Sequence, residues 1–330
     1  MLATDSLKQI VYDGDPGIDD ALAILLALTA ENANLTAITT VAGNTTVDKA
    51  VRNVLKILSL LGRENDVEPY VGLGASKPLL SELQTSERFH GPDGLGDTED
   101  LFRDLKFQEL LGRVKPGVDL IVKSVLENPE PIVLVTAGPL TNLALAVRIR
   151  PEIVSKLKEV VVMGGAVREP GNVTMAAEFN IHTDPQAAKI VFNSGLPITL
   201  VSLDVTTKEQ NTLTLNHLSQ IEKADTPISR FISRIARYRM KTGGSSAHVH
   251  GCFLHDPLAV AIAIDKSLVR KSEEINVDVE TEGKITLGKT QADLRRYSEH
   301  PPNLTHCVEV DSPRFLDMFL QSLSNYRSSG

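Results

Sequence analysis

The sequence predicts an α/β protein: an open, mostly parallel sheet with helices on both faces, read as a single domain over residues 1–330. Three observations predict it. Short β-rich runs alternate with longer amphipathic runs through the first two-thirds of the chain, the pattern of right-handed βαβ units. The β-rich runs are near-continuously apolar, as strands covered on both faces are, rather than alternating as in a sheet with one wet face. Glycines and polar residues gather at the carboxyl ends of these runs, where open α/β sheets bind ligands.

In order, the strand runs are Gln9–Tyr12, Leu35–Val41, Pro131–Val135, Glu159–Met163 and Pro197–Leu203. Helical patterns lie between them at Ala21–Thr29, Val47–Leu61, Val118–Leu126, Leu140–Ile149 and Pro185–Phe192. The last third is less regular. Helical stretches at Leu215–Glu222 and Pro227–Tyr238 lead into a Gly/Ser loop at Gly243–Ser246, then a buried helix at Asp256–Ile264 and a mixed strand-and-helix tail. No repeat, low-complexity tract or linker interrupts the chain.

Composition excludes several function classes. With 42% hydrophobic residues over 330 positions the chain is long enough for a substantial core. Its net charge of −8 argues against a nucleic-acid binder, which needs a clustered basic surface. The longest apolar stretches, Ala21–Leu28 and Leu258–Ile264, fall short of the ~20 residues that span a bilayer. Cys252 and Cys307 allow at most one bridge and have no metal-motif spacing. With no charged-then-apolar leader pattern at the start, a reduced, soluble, cytoplasmic protein is expected. The sequons Asn44-Thr45-Thr46 and Asn172-Val173-Thr174 are then incidental.

The most informative segment is Asp13-Gly14-Asp15-Pro16-Gly17-Ile18-Asp19-Asp20, with four aspartates in eight residues between an apolar strand and an apolar helix. Crowding these charges costs repulsion and desolvation. Helix capping by Asp15 or Asp19 would account for one of them. A hard cation accounts for the group: carboxylates, carbonyls and water suit Ca²⁺ or Mg²⁺, and the absence of Cys and His from the segment disfavours zinc. Spacing does not choose between calcium and magnesium. Far away in sequence, His255-Asp256 precedes the apolar run Pro257–Ile264. If that loop returns to the strand ends, Asp256 completes a metal site and His255, titrating near neutrality, can protonate a leaving group.

These residues resemble the nucleoside hydrolases, the N-ribohydrolases of nucleoside salvage. The acidic segment is similar to that family's N-terminal DxDPGxDD signature. Further matches follow in the family's order: Val41-Ala42-Gly43-Asn44, His90-Gly91-Pro92-Asp93-Gly94-Leu95-Gly96, Ala137-Gly138-Pro139-Leu140-Thr141-Asn142, Met163-Gly164-Gly165, Asn172 through Ala177-Glu178-Phe179-Asn180, and His255-Asp256-Pro257. The resemblance implies a Rossmann-like sheet with a calcium ion at the base of a ribose pocket. It implies Asp15, Asp20 and Asp256 as side-chain ligands, with the Ala137 carbonyl beside them. Asp15 is also implied as the base that deprotonates the calcium-bound water, and Asp19 as the partner of the ribose 2′-hydroxyl. Asn44, Met163, Asn172, Glu178 and Asn180 fall at sugar-site positions, and Asp13 at that of a carboxylate orienting the loop from behind. His255 matches a leaving-group acid present in part of the family, and His90 and Phe179 match residues near the base. A homodimer or homotetramer acting on a small nucleoside, with no nucleic-acid or membrane partner, is the implied setting. Tyr238, Arg239, His248 and His250 occupy a segment that helps shape the base pocket in the family.

The chemistry fits these residue types. Breaking an N-glycosidic bond leaves an oxocarbenium-like sugar and an electron-rich base, and a catalyst must stabilise both poles in the transition state. Two other readings share fragments of the pattern. A haloacid-dehalogenase-like phosphatase also places Asp-x-Asp after its first strand, with Asp13 as nucleophile and Asp15 as acid/base, but leaves Asp19-Asp20 and Glu178–Asn180 without a role. A non-catalytic, calcium-dependent nucleoside or ribose binding protein would leave Asp15 and His255 idle.

Overall fold

Alternate residues of each central strand enter different cores. Ile10, Tyr12, Val133, Val135, Val161 and Met163 belong to one buried apolar cluster; Val11, Ile132, Leu134, Val160 and Val162 belong to another. This division explains why the strands read as continuous apolar runs: both faces are covered.

The computed structural model describes residues 7–243, 251–297 and 299–325. Its strands are β1 (Lys8–Gly14), β2 (Ala33–Thr40), β3 (Tyr70–Leu73), β4 (Lys115–Pro116), β5 (Ile132–Thr136), β6 (Glu159–Met163), β7 (Ile198–Val201), β8 (Thr212–Thr214), β9 (Gly251–Phe253), β10 (Val269–Ile275), β11 (Val277–Val279), β12 (Thr290–Ala292) and β13 (Leu304–Val310). Its α-helices are α1 (Ile18–Thr29), α2 (Val47–Leu60), α3 (Glu87–His90), α4 (Phe107–Leu111), α5 (Gly117–Glu127), α6 (Thr141–Ile149), α7 (Phe179–Thr183), α8 (Pro185–Phe192), α9 (Leu203–Thr206), α10 (Leu215–Glu222), α11 (Pro227–Thr242), α12 (His255–Ile264) and α13 (Ser312–Asn325).

The main sheet has nine strands in the order β10-β13-β7-β6-β5-β1-β2-β3-β4. Neighbours run parallel except β10, which pairs antiparallel with β13. Residues of α1, α2, α11, α12 and α13 pack on one face, and those of α5, α6 and α8 on the other. Helices α1 and α12 are apolar on almost every side and lie in contact with each other, as expected of helices buried inside a layer rather than lying on its surface. Among the described residues no helix is long and apolar enough to cross a membrane.

The chain winds outward from β1 through β2 and β3 to β4, then returns to place β5 on the other side of β1. The order therefore reverses between β1 and β5, and such a switch point opens a crevice at the strand carboxyl ends. The first strand ends in the acidic run, and β5 leads into Ala137-Gly138.

The sequence-based elements are recovered within a few residues, and three departures bear on the main sheet. β3 and β4 were not anticipated: β3 has four residues with both ends exposed, and β4 has two. The run read as a strand over Pro197–Leu203 is extended only at Ile198–Val201, because Ser202 accepts from the Asp204 N–H and caps α9. The irregular tail supplies β10 and β13, which complete the sheet.

The loop carrying the acidic run is tied to its neighbour from behind. Asn53 Nδ2 donates to the carbonyls of Pro16 and Asp93, both at 2.9 Å. The buried Lys56 ammonium bonds Glu99 at 2.6 Å and lies 3.7 Å from Asp93. Asn53→Ala is expected to cost about 1–3 kcal/mol, since two buried carbonyls lose their donor. Urea denaturation measures this; an unchanged midpoint would show that the tie is dispensable.

Candidate active site

Side-chain alternation at the end of β1 sends its polar groups to opposite faces. Asp13 follows the face of Val11, toward α6. Its Oδ1 accepts from Thr39 Oγ1 at 2.6 Å and Asn142 Nδ2 at 2.8 Å. Asn142 also donates to the Thr40 carbonyl and accepts from the Ala75 N–H, locking three loops around Asp13. Burial, partly opposed by these bonds, raises the Asp13 pKa to about 6. The phosphatase reading fails here, because its nucleophile would be a fully buried carboxylate serving as a structural hub.

Tyr12 takes the other face and donates its hydroxyl to Asp20 Oδ1 at 2.8 Å. Asp20 Oδ2 accepts from Gly17 N at 3.0 Å and Asn44 Nδ2 at 3.3 Å. Asp15 Oδ2 accepts from Asn44 N at 2.5 Å, whereas its Oδ1 is buried without a hydrogen-bond partner, as is Asp19 Oδ1. Asp256, at the start of α12, returns to this floor: Asp19, Asp20 and Asp256 each place a carboxylate oxygen within 4.8 Å of the others. Asp15 lies outside that tight triple, but its charge is felt there.

Burial first, and neighbouring carboxylates second, raise all three fully buried members. Asp20 is pushed up to about 7, and Asp15 and Asp256 well above the ordinary carboxylate range. Tyr12 is likewise raised by burial and by these charges, so it remains a donor. Oxygen donors only, two of them buried and unpartnered, fit a hard divalent cation. The Ala137 carbonyl, at the end of β5, already accepts from Asn180 Nδ2 at 3.1 Å and keeps its second lone pair.

The loop after β6 carries the expected sugar-site residues. Its start is pinned by Asp204, which accepts from the N–H groups of Val167 and Arg168, and by Thr290, which bonds Ala166. Glu178 caps α7: Oε1 accepts from Asn180 N at 2.8 Å, and Oε2 accepts from Ile181 N at 3.1 Å and Gly165 N at 2.9 Å. Burial outweighs these bonds and raises its pKa. Asn180 also donates to the Met163 carbonyl at 3.3 Å, bringing both residues to the carbonyl of Ala137. Asn172 is exposed, and its Oδ1 accepts from Phe179 N at 2.9 Å, closing the loop on itself. Phe179 is half-buried.

Two imidazoles complete the site. His90 Nδ1 accepts from the N–H of Ile18, the first residue of α1, at 3.0 Å. It therefore satisfies one free donor of that helix end, which places its proton on Nε2, 72 residues from its partner. Its Nδ1 stands 3.8 Å from Asp19 Oδ1. His255 is half-buried with Nδ1 at 2.8 Å from Thr206 Oγ1. Burial lowers both imidazoles to about 4. The expectation that His255 titrates near neutrality is corrected accordingly: without metal or substrate the ring is neutral at pH 7. His248 and His250 lie outside the described residues. Tyr238 packs against Gly96, whose added Cβ would meet it at 3.0 Å, and Arg239 stacks on Phe89 at 5.3 Å.

Tyr12, Thr206 and Asn142 were not assigned roles from sequence. Tyr12 left a usable signal, since a phenol inside an apolar strand needs a buried acceptor and the acid run begins one residue later. Asn142 closes the Ala137-Gly138-Pro139-Leu140-Thr141-Asn142 motif, but its partner is 129 residues away. Thr206 left none.

The family model for inosine-uridine preferring nucleoside hydrolases matches residues 10–317. A pyrimidine-specific ribonucleoside hydrolase, RihA, of Citrobacter koseri is 38% identical over 320 residues, covering 97% of this chain and 99% of its own. The inosine-uridine preferring nucleoside hydrolase of Crithidia fasciculata is 39% identical over 322 residues, covering 96% and 97%. Among solved structures, the purine-preferring ribonucleoside hydrolase from Gardnerella vaginalis superposes with a TM-score of 0.85 at 36% identity, covering 96% of this chain and 98% of that one.

The carboxylate floor sets the pH response of the metal-free protein. Groups whose pKa is raised on folding hold protons that the unfolded chain releases, so stability falls as pH climbs toward the raised values. His90 and His255, lowered on folding, act in the opposite sense, mainly below the unfolded imidazole value of 6.5 and fading within about a unit above it. Between pH 6.5 and 8 the carboxylates dominate, and Asp20 alone, with its pKa of about 7, contributes a loss on the order of 1 kcal/mol. The melting temperature in EDTA is expected to drop across that window; a rise would contradict the burial of these groups.

Proposed function

The chain belongs to the family of inosine-uridine preferring nucleoside hydrolases and is a nucleosidase; on that premise we propose a calcium-dependent hydrolysis of ribonucleosides to free base and ribose. The observation that carries the calcium reading is the carboxylate floor at the sheet's switch point, with the Oδ1 atoms of Asp15 and Asp19 buried and unpartnered. Asp15, Asp20 and Asp256, with the Ala137 carbonyl, are the groups to hold the ion. When bound, calcium supplies a fixed positive centre for a vicinal diol and makes water more acidic.

The protein's own groups divide the remaining work. Asp15 has one oxygen committed to Asn44 N and the other free, so it can take a proton from the attacking water while its plane stays fixed. Asp19 accepts from the ribose 2′-hydroxyl. Asn44, Met163, Asn172, Glu178 and Asn180 hold the sugar, and Asp13 braces the loop through Asn142. Negative charge around the ribosyl ring supports its oxocarbenium character. His255, bonded at Nδ1 to Thr206 Oγ1, acts as the leaving-group acid after taking up a proton, so that giving one to the departing base returns it to the neutral imidazole; His90 and Phe179 lie beside that base. The relatives bear the names pyrimidine-specific, inosine-uridine preferring and purine-preferring at comparable identity, so overall similarity does not select the base. A cytoplasmic homodimer or homotetramer is part of the same reading and rests on the family resemblance.

Free-base release from inosine, uridine, cytidine and adenosine, with EDTA and with calcium restored, tests the proposal. Loss on chelation and recovery with calcium are expected; full activity in EDTA would sink the metal role. Asp15→Ala is expected to lower kcat by roughly 10²–10⁴-fold, the usual range for a lost proton-transfer group. His255→Ala should harm natural nucleosides far more than p-nitrophenyl riboside, whose leaving group needs no proton. Equal losses on both substrates would remove its acid role.

A further inference from the structure

Tyr12 is fully buried, and its hydroxyl meets one of the clustered carboxylates. Asp20 has about four lone-pair positions available, and three donors occupy them: Tyr12 on Oδ1, Gly17 and Asn44 on Oδ2. The plane of the carboxylate is thereby set from both edges, with Tyr12 the side-chain donor on Oδ1. The backbone makes room for this contact. A Cβ on Gly14, the next residue on the same strand face, would lie 2.4 Å from Asp20 Oδ1 and 2.6 Å from the Tyr12 ring.

We propose that Tyr12 is a positioning residue of the cation site, orienting the Asp20 carboxylate through its hydroxyl. The proposal rests on the calcium reading above and deepens it. Partners behind a metal's ligands typically alter affinity by about 10–100-fold when removed. A phenol that merely fills the core and needs an acceptor would affect stability and leave calcium affinity alone.

Calorimetric titration of calcium into metal-stripped wild type, Tyr12→Phe and Gly14→Ala separates these roles. Tyr12→Phe keeps the ring and removes only the donor; Gly14→Ala forces a methyl into the same contact and serves as the second variant if the first does not fold. The expected result is a calcium Kd raised about 10–100-fold in Tyr12→Phe, a rise in the same direction in Gly14→Ala, and a matching shift in the calcium concentration giving half-maximal base release. A Kd within twofold of wild type, or tighter, in a folded variant overturns the proposal, even if its melting temperature has dropped. Absence of calcium binding in the wild type would instead defeat the calcium reading on which it stands.

Discussion

The structure depends on holding several acidic side chains together where little water reaches them. Asp15, Asp20 and Asp256 are almost wholly buried, with Asp19 beside them. The donors that meet them are neutral: the N–H groups of Asn44 and Gly17, the amide of Asn44 and the phenol of Tyr12. The start of α1 adds a favourable dipole. These groups orient the carboxylates but do not neutralise them, which is why the pKa values remain raised. The backbone has to come unusually close to achieve this. A Cβ on Gly43 would fall 2.0 Å from Asp15 Oδ2, so any larger residue would displace the carboxylate.

Sheet topology converts this local strain into a site. Because the strand order turns back at β1, the ends of β1 and β5 face a crevice that no crossover fills, and the loops after β2 and β6 reach it from either side. Asp256 arrives from α12, whose apolar body packs along α1. The two helices that bring carboxylates together are therefore the two most deeply embedded in their layer. Their fixed packing resists the repulsion at their ends.

Much of this was legible in the sequence, for identifiable reasons. Continuous apolar runs located the central strands, because those strands are covered on both faces. The acid run stood out because no ordinary turn gathers four aspartates. What escaped was non-local or short. β3 and β4 are too brief to carry a period. The bond from Ile18 to His90, the bond between Thr206 and His255 and the anchoring of Asp13 by Asn142 each join residues separated by tens of positions. The protonation state of His255 also depends on burial, which spacing does not report.

The margins of the main sheet have a consequence of their own. One edge ends in β4, only Lys115 and Pro116, where the proline has no N–H to offer a further strand. The opposite edge is β10, which reverses direction and carries Arg270, Lys271, Glu273 and Glu274 in its short span. Both borders thus discourage a neighbouring molecule from extending the sheet, the usual route from a long parallel sheet to aggregation. An association of this protein through its helices and loops would leave the hydrogen-bonded framework of each main sheet as it stands.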